Sequence, residues 1–298
     1  MGIALPACLY NCGMSLLEII LLSIVQGLAE LLPVSSSAHV VVAEKLMGLD
    51  PSSPPMTLLL VMLHTGTMFA VIVYLWRRWR ESFFQNTQTV RRFAWLVTVA
   101  TILTAVVGGS LIKIIEGTAS HRLGQYGEIE ELFGRLELIA PALAGAGILI
   151  LISAFAERRK PEVSTNAGDD LNTKKAGVIG IVQGFCLPFR GFSRSGATIS
   201  TGLLAGVGKS CAEDFSFALA VVLTPFVVVR EAMRLVRAEQ ISGITTLASA
   251  MMPSMVGAVC AFLAGLFALK WLNRWLESGR WYLFGIYCLV AALHFLGY

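Results

Sequence analysis

Six stretches of this chain, at about 56–76, 93–115, 136–155, 215–236, 244–272 and 281–297, are long and apolar enough to cross a lipid bilayer, which takes about 20 such residues. Inside hydrocarbon every backbone N–H and C=O must find its partner within the protein, so spans of this kind fold as helices. Composition points the same way. The 298 residues are 56% hydrophobic and only 14% charged, where a soluble domain carries about 25% charged residues. A soluble globular fold is excluded, and residues 1–298 are expected to form a single all-α polytopic membrane domain. The net charge of +4 comes from short connecting loops, where it reports topology rather than a nucleic-acid footprint. No nucleic-acid partner is expected.

Two further apolar segments, 15–32 and 176–189, each run into a Pro/Ser/Gly-rich break followed by a shorter helix-like piece, at about 37–48 and 196–207. Broken helices at membrane depth are tolerated where they line a cavity, so both pairs read as re-entrant helix-loop-helix hairpins beside the six spans. Loop charge then sets orientation. Arg77, Arg78, Arg80, Arg91 and Arg92, then Arg158, Arg159, Lys160, Lys174 and Lys175, then Arg274 and Arg280 mark cytoplasmic loops, by the positive-inside rule. The acidic 116–135 loop and both termini fall outside; Arg230, Arg234 and Arg237 run against this scheme. Residues Met1 to Met14 lack Lys and Arg, which argues against a cleaved signal peptide. Of the six cysteines, only Cys8 and Cys12 are close in sequence, with no neighbouring histidines to make a zinc site. The cysteines read as small apolar residues.

The chain also echoes itself. Ile24-Val25-Gln26-Gly27 recurs as Ile181-Val182-Gln183-Gly184, each followed by a proline (Pro33, Pro188), a serine cluster and three spans. An odd number of spans inverts the second copy, giving repeats of about 15–155 and 176–297. Inverted repeats with broken helices place a site near the bilayer midplane, where the breaks meet.

Both breaks carry chemistry. In the first, Gln26 and Glu30 share one helix face. Ser35, Ser36 and Ser37 can cap the next helix and leave its first N–H groups facing a ligand, and His39 lies in that helix's first turn. In the second, Ser193-Arg194-Ser195-Gly196-Ala197-Thr198 puts a guanidinium where insertion costs several kcal/mol unless the charge is used. An arginine flanked by serine hydroxyls, with Gly196 allowing close backbone approach, suits a phosphate. Together these residues make a phosphoryl-transfer kit. Arg194 and the helix N-termini neutralise charge, Ser36 or His39 is nucleophile or positions water, and Glu30 is general base or divalent-cation ligand. No acidic cluster is present to hold a metal by protein alone, so any cation is shared with substrate phosphates. His64-Thr65-Gly66-Thr67, mid-span, reads as a packing element, with Gly66 at a close helix contact.

At these residues the chain resembles the undecaprenyl-diphosphate phosphatase family, integral membrane enzymes associated with bacitracin resistance. The family is marked by an (E/Q)xxxE segment running into LPVSS and a histidine, and by PGxSRSxxT. Here the first stands as Gln26, Glu30, Pro33, Val34, Ser35, Ser36 and His39, the second as Gly191 to Thr198. The resemblance covers essentially the whole chain. It implies hydrolysis of polyprenyl pyrophosphate lipid to the monophosphate at the outer face of the bacterial cytoplasmic (inner) membrane, recycling the carrier for peptidoglycan synthesis. It also implies a divalent cation, Mg²⁺ or Ca²⁺. Carried over by position, Glu30 is the main catalytic carboxylate, Ser36 and His39 are nucleophile or base, and Ser193, Arg194 and Thr198 bind phosphate. Two departures stand out: Gln26 cannot act as an anion, and Arg190 occupies the place of the second motif's proline. A homodimer is compatible with this reading. A second class, a polyprenyl-phosphate transporter or flippase, shares the broken-helix architecture. The membrane phosphatases that resemble vanadium haloperoxidases are excluded, because their PSGH and KxxxxxxRP motifs are missing.

Overall fold

The computed structural model describes residues 14–50, 53–123, 136–158, 171–242 and 247–297. Cys8 and Cys12, the N-terminal segment read as lacking a signal, most of the acidic 116–135 loop, and 159–170 of the cytoplasmic linker lie outside the described residues. All regular structure among the described residues is helical. The helices are α1 (Leu16–Leu31), α2 (Ser36–Met47), α3 (Pro54–Ser82), α4 (Thr87–Leu123), α5 (Leu136–Arg158), α6 (Thr173–Cys186), α7 (Arg194–Leu204), α8 (Lys209–Ser242), α9 (Leu247–Glu277) and α10 (Tyr282–Phe295). Of these, α3, α4, α5, α8 and α9 are long and apolar enough to cross a membrane. The protein is an all-α, multi-pass membrane protein.

The stretch 281–297, read as a sixth full span, forms a helix of only 14 residues. At 1.5 Å per residue it is about 21 Å long, short of a hydrocarbon core of about 30 Å. Its ends explain the length. A turn through Gly279, at φ 70°, separates α10 from α9, and Trp281, just before α10, is buried with its indole Nε1 donating to Ser153 Oγ at 3.0 Å. A turn closes the other end, where Gly297 N donates to His294 O.

Local signals fix several helix starts. Ser15 and Glu18 exchange reciprocal bonds ahead of α1, Glu18 N to Ser15 Oγ at 3.2 Å and Ser15 N to Glu18 Oε2 at 2.6 Å, a capping box. Asn86 accepts from Thr89 N at the head of α4, and Asn172 accepts from Lys175 N at the head of α6.

The chain forms two compact units, each drawn from several parts of the sequence. The first contains α1, most of α2, α3 up to Tyr74, and the portions of α8 and α9 between Ala220 and Leu269. Its core joins Ile19 and Leu22 of α1, Val40 of α2, Met56, Leu59 and Leu63 of α3, and Ala261 of α9. Small residues set the helix spacing, as membrane packing requires. A Cβ on Gly66 would collide with the Ala258 carbonyl, which is the close contact expected there.

The second unit contains 32–38, 75–219 and 270–298. Within it α4 packs on α6, α5 on both α7 and α10, and α6 on α7. Ser153 Oγ of α5 donates to Ser200 Oγ of α7 at 3.0 Å while accepting from Trp281, which ties three helices through one hydroxyl. The head of α8 is held twice. Phe215 lies edge-on to Phe93, which stacks on Phe83 at 4.1 Å. Arg78 donates to Glu213 Oε2 at 3.1 Å from both Nη atoms, to Asn273 Oδ1 and to Ser210 O, and its Nη2 lies 2.8 Å from Asp214 Oδ1. Two buried carboxylates therefore share one guanidinium. Cys186, Cys211 and Cys288 are buried free thiols.

Removing one side of a buried ion pair costs about 3–5 kcal/mol, because a charge is left uncompensated. Arg78→Leu is expected to lower the melting temperature sharply in detergent. Adding Glu213→Gln and Asp214→Asn should recover part of that loss, which thermal unfolding of the single and triple variants checks.

Candidate active site

Within the first unit, α1 presents Gln26 and Glu30 one turn apart toward His64 of α3. Gln26 is buried and Glu30 is 14% exposed at its side chain. Gln26 Nε2 lies 3.2 Å from Glu30 Oε2 and 3.2 Å from His64 Nε2; His64 Nε2 is 3.8 Å from Glu30 Oε2. His64 Nδ1 is 2.8 Å from the Leu60 carbonyl. A carbonyl only accepts, so Nδ1 carries the proton and Nε2 receives one N–H of Gln26. The other N–H of that amide reaches Glu30. A glutamine in the first motif position thus orients the carboxylate by donation, which a second carboxylate there could do only when protonated. His39 is half-buried on α2, one turn after Ser36.

The second unit brings the two serine-rich breaks together. Gly191 N donates to Ser37 Oγ at 3.3 Å, and Ser195 Oγ donates to Leu32 O at 3.3 Å. Cys288 Sγ reaches Pro33 O at 3.3 Å. Ser35, at φ 67°, occupies the left-handed region that non-glycine residues enter mainly at strained functional turns. Its hydroxyl lies 3.2 Å from Ser37 Oγ and receives Ala38 N at 3.5 Å. Ser193 caps α7 by accepting from Gly196 N at 3.2 Å, and its hydroxyl lies 3.4 Å from Ser195 Oγ. Thr198 Oγ1 donates to Arg194 O at 2.8 Å and lies 2.5 Å from Ser216 Oγ of α8. Ser35, Ser193, Ser195, Gly196 and Thr198 are buried, whereas Ser36, Ser37 and Arg194 are half-buried. Arg194 is the first residue of α7, so its cation stands at the positive end of a helix dipole. Arg190 is exposed.

Two participants escaped sequence reasoning. His64 reads from the chain as a packing residue, and only its distances to Gln26 and Glu30 promote it. Ser216 sits between Phe215 and Phe217, and a lone hydroxyl in that apolar run was the available signal. No group of three His, Cys, Asp or Glu that could hold a metal stands together among the described residues.

Fold and site together define a membrane-embedded helical protein with a serine- and arginine-rich helix break. The family described as "Bacitracin resistance protein BacA" matches residues 19–294, and the chain belongs to that family. It is 55% identical over 280 residues to undecaprenyl-diphosphatase 2 of Acinetobacter baylyi, covering 93% of this chain and 95% of that protein. It is 30% identical to undecaprenyl-diphosphatase 2 of Burkholderia ambifaria, over 96% of this chain and 97% of that one. Against the undecaprenyl-diphosphatase of Gluconobacter oxydans the identity is 33%, over 94% and 97%.

Gly191 adopts φ 102°, and a Cβ there would strike the Ile139 carbonyl. Strain and overlap each cost about 1–3 kcal/mol. Gly191→Ala is expected to lower the melting temperature clearly, whereas Gly109→Ala, with open space around it, should leave it near the wild-type value.

Proposed function

We propose that this protein hydrolyses undecaprenyl pyrophosphate to undecaprenyl phosphate and inorganic phosphate, recycling the lipid carrier for peptidoglycan synthesis and conferring bacitracin resistance. The observation that carries this reading is the Gly191 N–H···Ser37 Oγ bond. It joins the serine clusters of two sequence-distant breaks beside Arg194, which gives a phosphate both hydroxyl donors and a cation. Membership in a family whose relatives are named as undecaprenyl-diphosphatases supports the substrate.

In the proposed reaction, an oxygen or nitrogen nucleophile attacks the terminal phosphorus. The bond from that phosphorus to the bridging oxygen breaks, and undecaprenyl phosphate leaves with the electron pair. Arg194 and the positive end of the α7 dipole stabilise the charge spreading over the phosphoryl oxygens. Ser35, Ser37, Ser193, Ser195 and Gly196 shape the phosphate cradle, with Thr198 holding Arg194's backbone in place. Glu30, oriented by Gln26, takes the nucleophile's proton. The nucleophile comes from the start of α2, as Ser36 Oγ, the His39 ring, or a water placed there. Glu30 is a hard oxygen donor, and no group of three His, Cys, Asp or Glu stands together among the described residues. Such a donor suits a divalent cation, Mg²⁺ or Ca²⁺, held by Glu30 and completed by pyrophosphate oxygens. When bound it would neutralise charge on the bridging and terminal oxygens.

The reading extends to topology. The six apolar stretches span the bacterial inner membrane, with α10 as the short sixth span. The α1–α2 and α6–α7 pairs are re-entrant, the repeats 15–155 and 176–297 are inverted, and both termini face outward. The helix–break–helix construction of both pairs also suits a lipid transporter. Lipid movement into proteoliposomes without phosphate release would support that reading against hydrolysis.

Arg194→Ala and Glu30→Gln are each expected to cut phosphate release by about 10²–10³-fold or more, since single electrostatic donors contribute on that scale. Circular dichroism should show both folded; normal turnover in either variant refutes its assigned role. Chelation should abolish turnover, and added Mg²⁺ or Ca²⁺ should restore it. Full activity in excess chelator would remove the cation from the reaction.

A further inference from the structure

Gln183 is fully buried, at 0% exposure, and neither Nε2 nor Oε1 of its carboxamide has a hydrogen-bond partner. A leucine would fill similar space without two costly unpaired polar atoms. An amide kept under those conditions is placed for a partner the protein itself does not supply.

Its position says which one. On α6, Gln183 lies one turn after Ile179, and a Cβ on Gly202 of α7 would sit 3.6 Å from Ile179 Cδ1. The turn 187–193 reverses the chain between these packed helices. One turn toward the break from Ile179 is Gln183, and one turn toward the break from Gly202 is Thr198, so the two occupy the next level along the same contact. The Thr198 hydroxyl is already engaged by Arg194 O and Ser216.

The repeated Ile-Val-Gln-Gly sequence sharpens the point. In each copy the glutamine is buried and the following glycine is in tight contact: a Cβ on Gly27 would lie 2.7 Å from Ala261 O, and one on Gly184 would lie 2.8 Å from Val107 Cβ. Gln26 donates to a carboxylate and an imidazole. Four residues beyond Gln183, where Glu30 follows Gln26, stands Leu187. The second copy keeps the donor and lacks the anion.

We propose that Gln183 is a substrate-binding residue whose Nε2 donates to a phosphate oxygen of the pyrophosphate held at the first turn of α7. The anion absent from the second copy is then the substrate's own. This rests on the hydrolase reading above. The side chain is covered on all sides, so its engagement requires the cover between α6 and α7 to part and admit the anion held by Arg194.

The test uses the purified full chain and two readouts: inorganic pyrophosphate raising the melting temperature, and turnover of polyprenyl pyrophosphate. Gln183→Leu is expected to melt at or above the wild-type temperature, because two unpaired atoms are gone. It should need at least tenfold more pyrophosphate for half of the thermal shift and lose at least tenfold in kcat/KM. Gln183→Met, which tolerates irregular packing, takes its place if the leucine variant does not fold. Binding and turnover within twofold of wild type overturn the proposal and leave Gln183 as a core amide satisfied by water. Arg194→Ala separates the two claims. If it binds pyrophosphate as well as wild type, the hydrolase site reading fails; if it loses binding while Gln183→Leu keeps it, only the role of Gln183 fails.

Discussion

Backbone polar groups that helices leave unpaired at a break must be satisfied inside the protein, because hydrocarbon offers no partners. The second unit meets this demand with the serines themselves. Ser37 accepts from Gly191 N, Ser193 from Gly196 N and Ser35 from Ala38 N, while Ser195 donates to the Leu32 carbonyl. The residues that make the breaks tolerable are therefore the ones that hold the two loops against each other. Gly191 is required for that approach, because its φ of 102° and its contact with the Ile139 carbonyl exclude any side chain.

The rest of the unit is arranged to keep this junction in place. Ser216 reaches Thr198 from α8, and the head of α8 is clamped by Arg78 and by the Phe83–Phe93–Phe215 group. From the other side, α5 joins α7 through Ser153 and Ser200. Hydroxyls, charge pairs and aromatic rings do here what hydrophobic burial does in water, since apolar contacts alone gain little between helices in lipid.

Much of this was legible in the chain. Pro33 and Pro188, each followed by serines, announced both breaks; α1 ends at Leu31, within one residue of the expected 32, whereas α6 ends at Cys186, three residues before the expected 189. Arg194 stood out because an unused guanidinium in an apolar chain is too costly to keep. What stayed hidden depends on three-dimensional packing. His64 meets Gln26 across α1 and α3 at a separation that no spacing rule encodes. Ser216 gains meaning only when its hydroxyl reaches Thr198. The shortness of α10 comes from the turns that bound it at Gly279 and Gly297, which the apolar run between them does not reveal. Gln26, which looked like a lost charge, instead splits its amide between Glu30 and His64.

The central claim is attack at the terminal phosphorus of a lipid pyrophosphate. Turnover of undecaprenyl pyrophosphate by the purified protein in heavy-oxygen water tests it most directly, with mass analysis of both products. One labelled oxygen in each released inorganic phosphate, and none in undecaprenyl phosphate, is the predicted result, whether water attacks directly or resolves a phosphorylated Ser36 or His39. Label in the lipid phosphate, or no release of phosphate at all, would contradict it.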